Sequence, residues 1–235
     1  MSGHSKWATT HRQKEVADAK RGAIFTRIGN QIAIAARGGT DPELNPSLAL
    51  MIEKARMANM PKSNIERAIA RVSDKNAAQL EETTYEAYGP GGVGIIIETA
   101  TDNRNRTFPE VRTALTKHGG SIAEPGSVAF QFMHKGVIRV DAVGEDALLT
   151  ILDAGAEDAV EEEKQIIVYT EARDLTNVRK KIIESGLKVA DAGLEYVPKN
   201  LVEITDASTA EKVEKLLDAI DDLDDVVDVY SNADI

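Results

Sequence analysis

Residues 136–197 read GVIRVDAVGEDALLTILDAGAEDAVEEEKQIIVYTEARDLTNVRKKIIESGLKVADAGLEYV. Gly136 to Asp141 is a β-branched run that predicts a strand. Asp146 to Ala154 places Ala147, Leu148, Ile151 and Leu152 at helical spacing. Ala159-Val160 and Gln165 to Thr170 predict two paired strands. Leu175 to Ser185 predicts a second helix and Val189 to Val197 a last strand. The order β-α-β-β-α-β is the split βαβ, or ferredoxin-like, unit. It is complete within about 65 residues, a length that suits a self-contained domain.

The stretches on either side read as two halves of one further unit. Upstream, Val93 to Thr99 predicts a strand. Thr107-x-x-Glu110 is a capping box that predicts a helix start, and Ser127 to Phe132 predicts a strand. Downstream, Leu201 to Thr205 predicts a strand, Ala210 to Ala219 a helix, and Asp228 to Ser231 a final strand. The economical arrangement joins 81–132 with 199–235 in one α/β domain, with 133–198 inserted between them.

Residues 1–80 read as helical. From Lys14 to about Arg37, Val16, Ala19, Ala23, Ile24, Ile28, Ile32 and Ala35 recur at steps of three and four, and Gly38-Gly39 ends the run. Asn45-Pro46 predicts the cap and first turn of a second helix, with Leu48, Met51, Ile52 and Ala55 inward; Pro61 closes it. Ser63-x-x-Glu66 is a capping box for a third, with Ile65, Ala68, Ile69 and Val72 inward. Ser73 to Glu82 is polar and reads as a linker. The expected class is α+β: an N-terminal three-helix bundle followed by two α/β domains, the third ferredoxin-like and inserted in the second.

The 235 residues are 42% hydrophobic and 29% charged, ordinary for a folded globular chain. The absence of cysteine excludes disulfides, thiolate catalysis and Cys-based metal sites. No apolar run reaches the roughly 18 residues that span a bilayer, and Met1 to Trp7 has no signal-peptide core. The expected location is the cytoplasm, with no membrane partner. The net charge of −11 is unevenly spread. Residues 1–80 hold 13 Lys+Arg and 7 Asp+Glu, a net of +6, which leaves −17 on the rest. That asymmetry fits a basic binding surface on a chain otherwise repelled by polyanions; chance variation between small domains is the bland alternative.

Candidate binding residues follow from that charge. Lys6, Trp7, Arg12, Lys14, Lys20, Arg21 and Arg27 form an arm leading into a basic helix, which suits phosphate contact. Lys14 and Arg21 are seven apart, as are Lys20 and Arg27, so each pair shares a helix face. Trp7 either stacks on a base or packs the arm onto the bundle. Arg104 and Arg106, between a strand and a helix start, suit a phosphate beside unpaired N–H groups; the alternative is a solvated loop. Gly89-Pro-Gly-Gly-Val-Gly94 matches G-x-G-x-x-G literally, but it precedes a strand, and no helix follows it. A turn is expected there, not a dinucleotide site. Asp221, Asp222, Asp224 and Asp225 lack the spacing of a calcium loop and read as a solvated acidic turn. The histidines at 4, 11, 118 and 134 have no metal-ligand spacing. No catalytic residue, metal, cofactor or small-molecule substrate is indicated.

Several of these motifs together resemble the YebC family. They are Gly3-His-Ser-Lys-Trp7, the basic helix after it, Ala35-Ala-Arg-Gly-Gly39 with Asp41-Pro42, and Asn59-Met-Pro61 with Asn64-Ile-Glu-Arg-Ala-Ile69. Tyr88-Gly-Pro-Gly-Gly92, Thr101-Asp-Asn-Arg-Asn-Arg-Thr107 and Gly126-Ser-Val128 complete them. Ala8 to Arg12 departs from the family pattern in being less basic. The resemblance implies three domains, the third inserted in the second, and a role in gene expression without catalysis. Bacterial members are usually called DNA-binding transcriptional regulators. The mitochondrial relative is a translational activator for a cytochrome oxidase subunit, and bacterial members have also been described as ribosome-associated factors that relieve stalling. The expected function is therefore a non-enzymatic, nucleic-acid-binding regulator of gene expression, most often labelled a DNA-binding transcriptional regulator. The alternative is a ribosome-associated translation factor whose partner is ribosomal RNA.

Overall fold

The computed structural model describes residues 18–73, 80–162 and 164–235, with side chains from residue 22 onward. The described residues fall into two compact units. One is Phe132–Val197; the other joins the residues before Phe132 to Pro198–Ile235.

The second unit begins with three helices, α1 (Asp18–Ala35), α2 (Pro46–Met57) and α3 (Lys62–Ala70). Ile28, Ile32, Leu48, Ile52, Ala55, Met60 and Ile65 interlock between them. The corner between α1 and α2 is tied by Asn45. Its Oδ1 accepts from the Leu48 N–H at 3.1 Å, and its Nδ2 donates to the Ala35 and Gly39 carbonyls at 2.8 Å each. The expected capping box at Ser63 does not form. Pro61 takes the cap position, so Ser63 falls inside the first turn, and Glu66 pairs loosely with Lys62. The fixed φ of proline suits that entry, and its carbonyl accepts from the Asn64 and Ile65 N–H groups.

Next come β1 (Glu81–Tyr88), β2 (Gly94–Thr101), α4 (Arg104–Lys117) and β3 (Ser121–Ile122). β1 was not expected: Glu81 and Glu82 read as linker. Its usable signal is the alternation Thr83, Tyr85, Ala87, whose last member is fully buried. The glycine cluster turns the β1–β2 hairpin, with Gly91 and Gly92 at φ 74° and 80°. The strand expected over Ser127 to Phe132 is instead a turn and a short 3-10 helix. Its amides are claimed by a carboxylate rather than a ladder. Glu86 accepts from the N–H groups of Gly126, Val128 and Ala129, and Tyr88 Oη donates to the Ser127 carbonyl.

The unit Phe132–Val197 holds β4 (Phe132–Val140), α5 (Glu145–Asp153), β5 (Asp158–Glu162), β6 (Gln165–Glu171), α6 (Leu175–Glu184) and most of β7 (Val189–Pro198). The sheet order β5-β6-β4-β7 is the ferredoxin-like arrangement that the residue pattern predicts. Within it, Arg139 makes a bidentate, buried pair with Glu195 at 2.7 and 3.1 Å.

The chain then re-enters the other unit with β8 (Val202–Glu203), α7 (Ala207–Asp221), β9 (Val226–Ser231) and β10 (Ala233–Asp234). The strand expected over Leu201 to Thr205 shrinks to two residues, paired in parallel with β10. The main sheet runs β3-β1-β2-β9 and is antiparallel throughout. One face carries Ala87, Ile95, Ile97 and Val229 against Val111 and Leu115 of α4 and Val213, Leu216 and Ile220 of α7. Toward the other face lies α1, through Gln31 to Asp228 and Asn30 to the Ala100 carbonyl. Covered on both sides, β2 is buried at seven of its eight positions. That is why its first half, Gly94 to Ile97, is a continuous apolar run rather than an alternating one, and why Thr99 and Thr101 are buried with it.

Asn232, 2% exposed, joins three pieces of chain. Its Oδ1 accepts from the Gly94 N–H at 2.8 Å, its Nδ2 donates to Gln131 Oε1 at 2.8 Å, and its carbonyl accepts from the Val202 N–H at 2.7 Å. Asn232→Ala leaves the buried Gly94 N–H and the half-buried Gln131 amide oxygen without this partner. It should lower the unfolding free energy by about 1–3 kcal/mol in urea denaturation; an unchanged midpoint would contradict this role.

Candidate nucleic-acid interface

The nine candidate residues separate into two groups. Lys6, Trp7, Arg12 and Lys14 lie outside the described residues, and so do the side chains of Lys20 and Arg21, whose backbone is in α1. Arg27, Arg104 and Arg106 are described, and all three belong to the unit that contains the main sheet.

The segment Thr101 to Thr107 runs from the last residue of β2 straight into the first turn of α4. Asn103 is the cap: its Oδ1 accepts from the Asn105 and Arg106 N–H groups at 3.1 and 3.3 Å. The expected cap, Thr107, is instead buried inside the first turn. Asn outranks Thr as a cap, and here it stands where the chain is still extended. Arg104 thus occupies the first helical position and Arg106 the third. Two cations at the positive end of a helix oppose its dipole, so the turn needs compensating anions.

Asp225 supplies the principal one. Its Oδ2 accepts from the hydroxyls of Thr101 at 2.9 Å and Thr107 at 2.6 Å, while Arg106 Nη2 reaches both carboxylate oxygens at 2.8 and 2.9 Å. Asp102 adds a second contact to Arg106 at 3.2 Å. The side chain of Arg106 stays 47% exposed, whereas Asp225 as a residue is 8% exposed. Burial pushes the Asp225 carboxyl up. The Thr107 hydroxyl, the Arg106 guanidinium and the Thr101 hydroxyl outweigh it and hold the group below the usual Asp value.

The same acidic turn holds Arg27. Arg27 Nη1 meets Asp221 Oδ1 at 2.9 Å, and Nη2 donates to the Asp221 carbonyl, fastening α1 to the C-terminal end of α7. The solvated acidic turn expected over Asp221 to Asp225 is therefore corrected: Asp221 and Asp225 are structural anchors. They escaped sequence reading because their partners lie over a hundred residues away. Arg104 is the most open of the three arginines, at 58% side-chain exposure. Its Nε donates to Thr83 Oγ1 at 2.8 Å, and Glu81 lies at 3.4 Å. Among the described residues, no group of His, Cys, Asp or Glu could hold a metal ion.

On the sheet face shared with Ile96 and Ala100, Glu98 is pushed up to about 7. Burial is the main cause, with the charge of Asp228 next; a weak hydrogen bond from Tyr230 at 3.3 Å acts the other way. Glu98 therefore stays protonated in the fold over a pH range in which the unfolded chain ionises it. Its stabilising contribution is complete below about 4.5 and is lost as pH rises through about 7. Glu98→Gln should flatten the stability profile between those values, and should be more stable than the parent at pH above 7 in thermal melts. A parent and variant that keep parallel profiles would contradict the shift.

Asp225 has the opposite sign, its contribution being present at neutral pH and lost as pH falls through its lowered value. Asp225→Asn should cost about 1.5–3 kcal/mol at pH 7, the range for hydrogen bonds to a charged group. The deficit relative to the parent should shrink on acidification, as read by denaturant titration at two pH values.

Comparison with known proteins bears on the whole chain. Residues 5–75 match the model of the TACO1/YebC protein N-terminal domain, and residues 80–233 that of the TACO1/YebC second and third domain. A probable transcriptional regulatory protein of Halothermothrix orenii is 46% identical, the alignment covering 100% of this chain and 96% of that one. A protein of the same description from Chlorobaculum tepidum is 48% identical with the same coverage. The crystal structure of a conserved hypothetical protein from Aquifex aeolicus, 43% identical, superposes with a TM-score of 0.87 over 93% of this chain and 92% of that one. With its sequence matched from residue 5 to residue 233, this chain belongs to the TACO1/YebC family.

Proposed function

We propose that this protein is a non-enzymatic regulator of gene expression that acts by binding nucleic acid. The observation that carries the reading is the charge distribution: a net of +6 over residues 1–80 on a chain whose remainder carries −17. Helix α1 carries Lys20 and Arg21 in that basic region, and a positive segment on a negative body is the electrostatic footprint of a phosphate contact. Arg104, exposed at the positive end of α4, is a second contact of the same kind. Arg27 and Arg106 contribute chiefly by holding the surface together, through Asp221 and Asp225. The printed names of the relatives, probable transcriptional regulatory proteins, agree with the regulatory reading.

The organisation proposed is a basic helical part over 1–80, a discontinuous α/β part over 81–132 and 199–235, and an inserted ferredoxin-like part over 133–198. The cytoplasm is the proposed location; among the described residues no helix is long and apolar enough to cross a membrane. A second reading, a ribosome-associated translation factor that binds RNA and relieves stalling, is favoured by the same charge pattern. An extended DNA duplex repels the acidic two-thirds, whereas a ribosome offers RNA and basic protein side by side.

Ultraviolet crosslinking in living cells, with sequencing of the attached nucleic acid, tests both. Reads on promoter DNA support the transcriptional reading, and reads concentrated on a few ribosomal RNA sites the translational one; crosslinks to neither overturn the proposal. Neutralising Lys14, Lys20 and Arg21 together should abolish the crosslinks, and full retention would remove the arm as the binding element.

A further inference from the structure

Helix α4 carries one more feature beyond its first turn. Arg104, Phe108 and Arg112 are spaced four apart, so they form a stripe along one side of the helix, with about 6 Å of rise between neighbours. All three are exposed. Phe108, at 39%, is one of the exposed large hydrophobic residues of the unit that contains the main sheet. Its ring leans on Tyr85 of β1, with centroids 5.8 Å apart and planes at 47°, so it is braced from beneath while its outer surface meets solvent. Arg104 is held through Nε by Thr83, with the exposed Glu81 carboxylate at 3.4 Å, and Arg112 forms no ion pair among the described residues. An aromatic ring with a guanidinium one turn to either side matches a base flanked by its phosphates.

We propose that this stripe binds an unpaired segment of RNA, with Phe108 stacking on one base and Arg104 and Arg112 contacting the phosphates beside it. The inference rests on the nucleic-acid reading above and deepens it. An unpaired strand is required because the faces of bases inside a duplex are already stacked on their neighbours, and a convex helix cannot reach them. RNA is favoured by Pro109, next to Phe108. Having no N–H, Pro109 leaves the Asn105 carbonyl without its helical donor, an acceptor beside the stripe that a ribose 2′-hydroxyl can fill. The stripe sets two guanidinium groups within residues 81–235, the part of the chain that carries a net of −17.

The test is fluorescence anisotropy on the full chain with a short labelled single-stranded RNA of mixed sequence, the matching DNA strand and the RNA duplex. Phe108→Leu keeps apolar cover over Tyr85 but removes the stacking ring. It should weaken single-stranded RNA binding about 5- to 150-fold, the range of one lost base stack, and leave duplex binding unchanged. Arg112→Ala should weaken binding and reduce the slope of log affinity against log salt by about 0.7, as one lost phosphate contact on a single strand requires. Phe108→Trp should restore affinity and show fluorescence quenching on RNA addition beyond that of the parent. Thermal melts of each variant verify folding. A parent that binds RNA while Phe108→Leu and Arg112→Ala bind it equally well overturns the stripe and leaves the broader reading standing. Equal affinity for the RNA and DNA strands overturns the choice of RNA. A parent that binds no nucleic acid overturns both readings.

Discussion

The buried carboxylate of Asp225 organises the described surface. It sits where β9 begins, yet its partners are Thr101 at the end of β2 and Arg106 and Thr107 in the first turn of α4. A carboxylate at 8% exposure is costly to bury unless its lone pairs are filled, and here two hydroxyls and a guanidinium fill them. The Ala100 N–H donates to the Asp225 carbonyl, so backbone and side chain together bind the end of β2 to the chain entering β9. Loosening this residue would free the first turn of α4, and with it the position of Arg104 and of the stripe beyond. Asp221, four residues earlier, does the same for α1 through Arg27. One acidic turn thus sets the placement of two basic helices.

This arrangement changes the meaning of the basic residues. Cations counted in a sequence are all equivalent, but in the fold each has a different remaining capacity to bind. Arg27 is 17% exposed and doubly committed to Asp221. Arg106 is half-exposed, but its Nη2 is shared between both oxygens of a buried carboxylate, so a phosphate would have to displace a charge-assisted pair to claim it. Arg104 is paired only with the exposed Glu81 and with Thr83, Arg112 forms no ion pair among the described residues, and Phe108 stands between them. On the proposed reading, the ligand surface is therefore displaced along α4 from the helix terminus toward its exposed side.

Much of the fold was legible from residue pattern. The ferredoxin-like unit followed from β-branched runs and two helical stripes in alternation, and the Asn45-Pro46 helix start from capping chemistry alone. These depend on local geometry: the 3.6 and 2.0 periodicities and the reach of a side chain to an amide two or three residues on. The misreadings share the opposite property. Ser127 to Phe132 has strand-like composition, but Glu86, some forty residues earlier, takes its amides. Glu81 and Glu82 read as the end of a polar linker, but hydrogen bonding to β2 along its whole length makes Glu81–Tyr88 a strand. Thr107 matches a capping box, but Asn103 competes for the position and wins.

The sequence by itself determined the class of the chain, the inserted βαββαβ order, the uneven charge and the family, because each is carried by neighbours in the chain or by composition. The tertiary structure decided which acidic residues are anchors, which arginines remain available and that Phe108 lies between two of them on an exposed face. Those properties depend on burial and on partners up to 194 residues apart, and no spacing rule along a chain encodes contacts of that range.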